Sequence, residues 1–265
     1  MSDLPDFSNP PVVEVAFGVQ FLPLEGLHGL ALAPLRELWR QIYPKIQEQP
    51  PLAPAIEGAP PLLPQLQLRM VPTPTIRQWF LSEDETELVQ IQTDRLLFNW
   101  RSGDQSATYP RYDYMRRTFA QRFADLVQFV ADEQLGEMSV VQAELSYINV
   151  IDVGPDDLGR MDSFLRGWPG AIGHHLGEPE QSRLTLTFPI NDAGQPPVRL
   201  YAEVNPAQRP NGESVLFFSL TVRGNPGGRD MDESLKFLDA AHGHLVRSFA
   251  ELTNESMHES WGRRA

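Results

Sequence analysis

The feature that most restricts the fold of this 265-residue chain is a single order of hydrophobic periodicities that runs through it twice. The first pass opens at Val12–Phe21. Val13, Val15, Phe17, Val19 and Phe21 fall on one face there, and Glu14, Ala16, Gly18 and Gln20 on the other, the two-residue period of a half-buried strand. A helix follows, with Pro34 in its first turn, where the missing N–H costs little, and with Leu35, Leu38, Trp39 and Ile42 as its apolar stripe. Pro44 ends or bends it. Strands at 65–71, 75–81, 87–92 and 96–101 make an antiparallel meander, the last two joined through Thr93-Asp94-Arg95 in a tight hairpin. Pro110 then opens a long helix whose apolar face is Met115, Phe119, Phe123, Leu126, Val127 and Val130.

The second pass repeats the order. A strand at 140–153 leads to a short helix opened by Pro155 and Asp156 and carrying Leu158, Met161 and Leu165. Strands at 183–188, 198–204 and 214–223 follow, and then a helix started by Asp230 with Glu233 three residues on, a capping-box pattern. Its stripe is Leu235, Leu238, His242, Leu245, Val246, Phe249 and Leu252. Local sequence repeats as well. Glu14-Val-Ala-Phe17 matches Glu144-Leu-Ser-Tyr147, and Leu97-Phe98-Asn99 near Arg101 matches Phe217-Phe218-Ser219 near Arg223.

The expected fold is therefore α+β, two diverged β-α-β(3-4)-α repeats that form a curved antiparallel sheet with helices on one face. That arrangement is shared by TATA-binding proteins and some helix-grip proteins, an analogy of fold that does not carry function. The divisions are a disordered lead-in at 1–11, a first repeat at 12–137 and a second at 138–265, packed as one globular unit. The proline-rich stretch 50–64 reads as an excursion over the surface rather than a linker, because strands resume directly after it.

Charge and composition narrow the function classes. Lys+Arg 22 against Asp+Glu 35 gives a net charge of −13, which disfavours a nucleic-acid partner and promotes solubility. The chain has no cysteine, so disulfides, thiol nucleophiles and Cys-ligated metals are excluded. The opening MSDLPDFSNPP is acidic and broken by proline, unlike a signal or transit peptide, and the longest apolar stretch, 27–35, is too short to span a bilayer. The expectation is a cytoplasmic protein without a membrane partner.

Catalytic signatures are missing. The chain contains no G-x-S-x-G, Walker-type, H-E-x-x-H or G-x-G-x-x-G motif, and Gly224-Asn-Pro-Gly-Gly228 lacks the lysine of a phosphate loop and reads as a turn. His242 and His244 lie about 200° apart around a helix and cannot share one ion, so no metal and no cofactor is expected; His242 reads as a core histidine. The polar sheet face is more informative. It gathers Glu14, Gln67, Arg69, Gln90, Gln92, Asn99 and Arg101 in the first half and Arg183, Thr185, Arg199, Tyr201, Glu203, Ser219, Thr221 and Arg223 in the second, with Glu144 as the counterpart of Glu14. Such a face is either simply solvated or a concave arginine-bearing surface for an acidic group. Glu14 and Glu144 read as charge partners of nearby arginines ahead of an acid–base pair.

Pro11-Val-Val-Glu14, Gln90-Ile-Gln92, Asn99-Trp100-Arg101, Tyr109-Pro-Arg-Tyr112, Tyr147-Ile-Asn149, His242 and Trp261 together resemble a sporadically distributed, functionally uncharacterised bacterial family of about this length. The resemblance covers nearly the whole chain. It implies an accessory or defence-type locus and assigns no activity; Tyr112, Tyr147 and Asn149 are further candidate binding residues. Structurally, Trp100 is expected to anchor the core and Tyr109-Pro110 to fix the turn into the long helix. The leading expectation is a non-enzymatic interaction protein that binds a protein partner or a second copy of itself through the polar face or rim of the sheet. The alternative is a small-molecule binder or enzyme with a pocket between sheet and helices, near Glu14, Tyr147 and Asn149.

Overall fold

The computed structural model describes residues 4–53, 57, 76–103, 107–154, 158–168, 175–177, 179–190 and 197–264. Its elements begin with strands β1 (Asp6–Phe7) and β2 (Val12–Phe21), helix α1 (Ala33–Trp39) and strand β3 (Lys45–Gln49). Strands β4 (Arg77–Leu81), β5 (Glu87–Gln92) and β6 (Arg95–Arg101) lead into α2 (Tyr112–Asp132). Next come β7 (Val140–Asp152), β8 (Leu184–Pro189), β9 (Val198–Gln208) and β10 (Ser214–Gly224). Helices α3 (Met231–Leu252) and α4 (Glu255–Ser260) and strand β11 (Arg263–Arg264) close the chain. The protein is α+β, and its main body is one nine-stranded antiparallel sheet in the order β3-β4-β5-β6-β2-β7-β10-β9-β8.

The alternation in β2 produces the two faces of this sheet. Val15, Phe17, Val19 and Phe21 are fully buried, and Phe17 stacks on Tyr112 and Phe119 of α2 at 5.6 and 5.5 Å. Directly opposed residues share a face, so the pairs Val15↔Tyr147 and Phe17↔Leu145 carry the helix-facing side from β2 onto β7. There α3 takes over, with Phe249 stacked on Phe218 of β10. The β2–β7 register shifts at Val13, between the pairs Val12↔Asn149 and Glu14↔Ile148, and again between Gln20 and Phe21. The core runs without interruption from Phe7 through both halves to Trp261, and Trp100 lies within it against Tyr109. No helix among the described residues is long and apolar enough to cross a membrane.

Several sequence expectations are corrected. Residues 1–11 are not all disordered: Asp6–Phe7 pairs with Arg263–Arg264, and Phe7 is buried edge-on against Phe249, His258 and Trp261. Helix α1 buries only Leu35 and Trp39; Leu38 is 61% exposed, and Ile42 lies beyond the helix end. A seven-residue helix has room for one i, i+4 contact with the core, and the stripe read from the sequence was two turns long. Val127 is likewise exposed on α2. Pro44 ends α1, but the chain turns at once into an edge strand, β3, that the periodicity did not signal. The expected strand at 65–71 lies outside the described residues, and that at 75–81 is described from 76, with β4 starting at Arg77. The short helix expected after 155 is a single 3-10 turn at Met161–Ser163, with Pro155 and Asp156 outside the described residues.

Two start signals behave as read. The Asp230 side chain accepts a hydrogen bond from the Glu233 backbone N–H and caps α3. Gly227 in the Gly224–Gly228 turn has φ +85°, a conformation that glycine adopts without strain. Pro110 lies two residues before α2. Between them Arg111 has φ +70°, which is costly for a residue with a Cβ. It is held there by its guanidinium, which donates to Asp6 and to the carbonyls of Phe7 and Ser8.

Candidate functional site

Register sorts the ten candidate residues onto opposite sides of the sheet. Glu14, Gln92, Asn99, Arg101, Glu144, Arg199 and Arg223 share the face away from α2 and α3; Tyr112, Tyr147 and Asn149 lie on the helix side. Glu14 is thus separated from Tyr147 and Asn149 by the thickness of the sheet, which corrects the expectation of a pocket containing all three.

On the first side one glutamate–arginine pair closes as an ion pair and the other stands as opposed charges. Glu14 is opposite Arg101 and Glu144 is opposite Arg223, whose Nε donates to the Glu144 carboxylate at 2.7 Å. Asn99 donates to Glu14 at 2.6 Å and accepts from Gln90 at 2.7 Å. Burial pushes the Glu14 carboxyl up, against the opposing effects of the Asn99 hydrogen bond and the Arg101 charge. Arg199 and the Tyr201 hydroxyl both donate to Glu57 at 2.6 Å. Gln92 clamps the Leu52 backbone in both directions, at 2.8 and 3.0 Å. Arg101 lies 5.7 Å from the Trp79 ring centre, a cation–π contact. Gln92 and Asn99 are buried, and the arginines of this face are engaged by the chain's own groups. Part of the surface expected to meet a partner is covered by Leu52, Ala53 and Glu57 and closed by its own hydrogen bonds.

On the helix side a cavity of about 280 Å³ opens between β7, the start of α2, the middle of α3 and the N-terminal segment. Tyr147 and Asn149 reach it because both are odd-numbered positions of β7, the phase that faces α3. Tyr109 and Tyr112 arrive on the strained turn into α2, and His242 comes from the α3 stripe. Tyr109 donates to the Tyr147 hydroxyl at 3.3 Å, and Tyr147 lies 3.1 Å from His242 Nδ1. The His242 ring lies flat on Tyr112, with centroids 3.8 Å apart and planes 2° from parallel. Tyr112 in turn donates to Asp239 at 2.7 Å, and Arg116 pairs with the same carboxylate. Asn149 is buried and donates to the Phe218 carbonyl at 3.0 Å, which fixes the plane of its amide. Phe7, Leu220, Leu245 and Phe249 supply apolar wall.

Burial sets the protonation of this cluster. It pushes Tyr109 up to about 12 and Tyr147 well above the usual phenol range. Tyr112 is raised by burial and by its hydrogen bond to Asp239. His242 is lowered to about 4 by burial, although Asp113 and Asp239 favour its charged form. Near neutral pH the hydroxyls keep their protons and the imidazole is neutral. The Tyr147 hydroxyl and His242 Nδ1 share a hydrogen bond whose donor is set by the imidazole tautomer. Among the described residues no group of three His, Asp or Glu is arranged to hold a metal ion.

Sequence reasoning named three members of this cavity, Tyr112, Tyr147 and Asn149. It assigned Tyr109 to a turn and His242 to the core, and it did not place Phe7. The runs Tyr109–Tyr112 and Tyr147–Asn149 converge here with His242, while Gln90–Gln92 and Asn99–Arg101 meet on the opposite face. No protein-family model, curated protein or solved structure matches the chain.

Proposed function

We propose that the protein binds a small, uncharged, amphipathic molecule in the cavity between the sheet and α3. The observation that carries this reading is the convergence of Tyr109, Tyr147, Asn149 and His242 on one largely apolar space. Convergent polar groups on a hydrophobic wall are what orient a small ligand. At roughly 30 Å³ per water the cavity has room for about nine waters, and so for a ligand of about that many non-hydrogen atoms. The neutral His242 imidazole and the Tyr109 and Tyr147 hydroxyls can each donate to or accept from a carbonyl or hydroxyl of a ligand. Binding is favoured over acid–base catalysis because burial moves Tyr147 and His242 in opposite directions away from neutrality, so that neither is poised to exchange a proton.

The finer reading of the fold, two diverged repeats, supports the same place. The matched pairs Glu14/Glu144 and Arg101/Arg223 occupy equivalent register positions, glutamate opposite arginine in each half. The matched pair Phe17/Tyr147 then differs in its surroundings: Phe17 is packed shut under Tyr112 and Phe119, whereas Tyr147 faces the cavity. In this reading the first half keeps a closed aromatic core where the second keeps a site.

The test is native mass spectrometry of the full chain purified without denaturation, followed by titration with the neutral probes indole and acetophenone. The expectation is a bound species or saturable probe binding, weakened about tenfold by Tyr147→Phe through loss of a buried hydrogen bond. Absence of both a bound species and probe binding, or probe binding that Leu245→Trp leaves intact, overturns the reading.

A further inference from the structure

The nine-stranded sheet ends in two edge strands of opposite character, β3 and β8. An open edge is a template for another strand, and proteins that keep an edge empty place charges on it. β3 carries Lys45 and Glu48, and Lys45 is paired with Glu85. β8, Leu184-Thr-Leu-Thr-Phe-Pro189, has no charged residue, although 22% of the chain is charged. Its one neighbour in the sheet is β9, and Thr185, Thr187, Phe188 and Pro189 are exposed.

The register to β9 fixes which groups this edge offers. Ile190 donates its N–H to the Val198 carbonyl, so the even-numbered residues of β8 turn their backbone groups toward β9. Thr185, Thr187 and Pro189 turn theirs outward. Pro189 has no N–H to leave unpaired there, which is where an edge strand tolerates proline. The free edge thus presents N–H and C=O at Thr185 and Thr187, and neither residue has a backbone partner on that side among the described residues. Leu184, Leu186 and Phe188 lie opposite Val204, Ala202 and Leu200 on the helix side of the sheet, and Phe188 is 39% exposed there.

The strand reads almost the same in both directions about Leu186. Two copies laid antiparallel about a two-fold axis through that residue therefore match at every position. Thr185 of one copy opposes Thr187 of the other, and each such pair exchanges both N–H···O bonds, which uses every outward donor and acceptor of the two threonines. Leu186 opposes itself and Leu184 opposes Phe188, apolar on apolar, with the sheet faces kept. Other axes fit worse. One through Thr187 sets Thr185 against Pro189 and loses a bond, one through Thr185 sets Phe188 against Ser182, and one between residues sets leucines against threonines. We propose that β8 is a homodimer seam that joins the sheets of two copies of this chain across an isologous edge. β9 and β10 separate it from β7 and the cavity, so it does not rest on the ligand reading.

The experiment is sedimentation velocity of the full chain from about 1 to about 200 µM, a range suited to an interface smaller than standard size. A species of twice the 29.9 kDa chain mass is expected to grow in with concentration. Thr185→Lys combined with Thr187→Lys opposes like charges at both pairs and should weaken dimerisation about tenfold or more. Thr185→Glu combined with Thr187→Lys opposes unlike charges in the same register and should preserve it. Both positions are exposed, so both double variants should keep the circular dichroism of the parent. The chain has no cysteine, which allows a direct test of the axis. Leu186→Cys, self-opposed across the seam, should cross-link into a covalent dimer on oxidation, whereas Leu184→Cys, opposite Phe188, should not. The proposal is overturned if the parent stays monomeric over the range, if the two double variants behave alike, or if Leu186→Cys cross-links no faster than Leu184→Cys.

Discussion

The imidazole of His242 is neutral because burial against the Tyr147 hydroxyl and the stacked Tyr112 ring disfavours its charged form, and that has a measurable consequence for stability. Its pKa is lowered from 6.5 to about 4 in the folded chain, with burial as the largest cause. In the unfolded chain it takes a proton near pH 6.5, so between about 6.5 and 4 the unfolded state binds more protons and stability falls as pH falls. The full effect is at most about 3 kcal/mol, from ~1.4 kcal/mol per unit of pKa difference. His244 and His258 are lowered by burial too and give slopes of the same sign, so the test is a comparison. Urea unfolding at pH 7 and pH 4.5 should show a smaller pH-dependent loss in His242→Gln than in the parent. Equal losses would mean that His242 is solvated. The sequence placed this histidine on an apolar stripe, and that much was legible. Its partners were not, because Tyr112 and Tyr147 are distant in sequence and meet it only through the packing of α2 and β7 on α3.

At the scale of elements, alternation in a strand reports which residues share a face but not which face a neighbouring strand presents. The period-2 pattern of β2 was readable, and so were the two-residue hairpin between β5 and β6 and the Asp230 cap of α3. The register shift at Val13 and the pairing of β2 with β7 were not, because register across 130 residues depends on tertiary contact. The least legible element is β1. Two residues carry no periodicity, yet Phe7 packs on three rings from α3, α4 and the C-terminal turn, and Arg111 ties the same segment to the start of α2. Phe7→Ala should therefore cost about 3 kcal/mol, as for other buried aromatic truncations. Because Phe7 also walls the cavity, the variant should lose affinity for the neutral probes while retaining a cooperative unfolding transition. A stability change under 1 kcal/mol by urea titration, or unchanged probe affinity, would place β1 outside both core and site.

For the whole molecule the central fact is that β2 and β7 are neighbours in the middle of a nine-stranded sheet. Cutting the chain between the halves leaves each with a long, flat strand edge and half of a continuous core. Residues 1–137 expressed alone should show no cooperative thermal transition by circular dichroism, whereas the full chain should show one; a sharp melt of the fragment would make the halves independent domains. The sequence by itself determined the α+β class, most of the strands and helices, and many of the inward residues of the longer ones, because these follow from local periodicity and capping. It also brought together the glutamate–arginine partners that the sheet sets opposite one another. Only the tertiary structure decided that the candidate residues divide between two faces, that Leu52 and Glu57 bond across one of them, and that Tyr109, Tyr147, Asn149 and His242 surround a cavity on the other. The reason is physical: the phase of a strand is local, but the closure of a face and the convergence of side chains depend on where distant elements pack, and no local pattern encodes that distance.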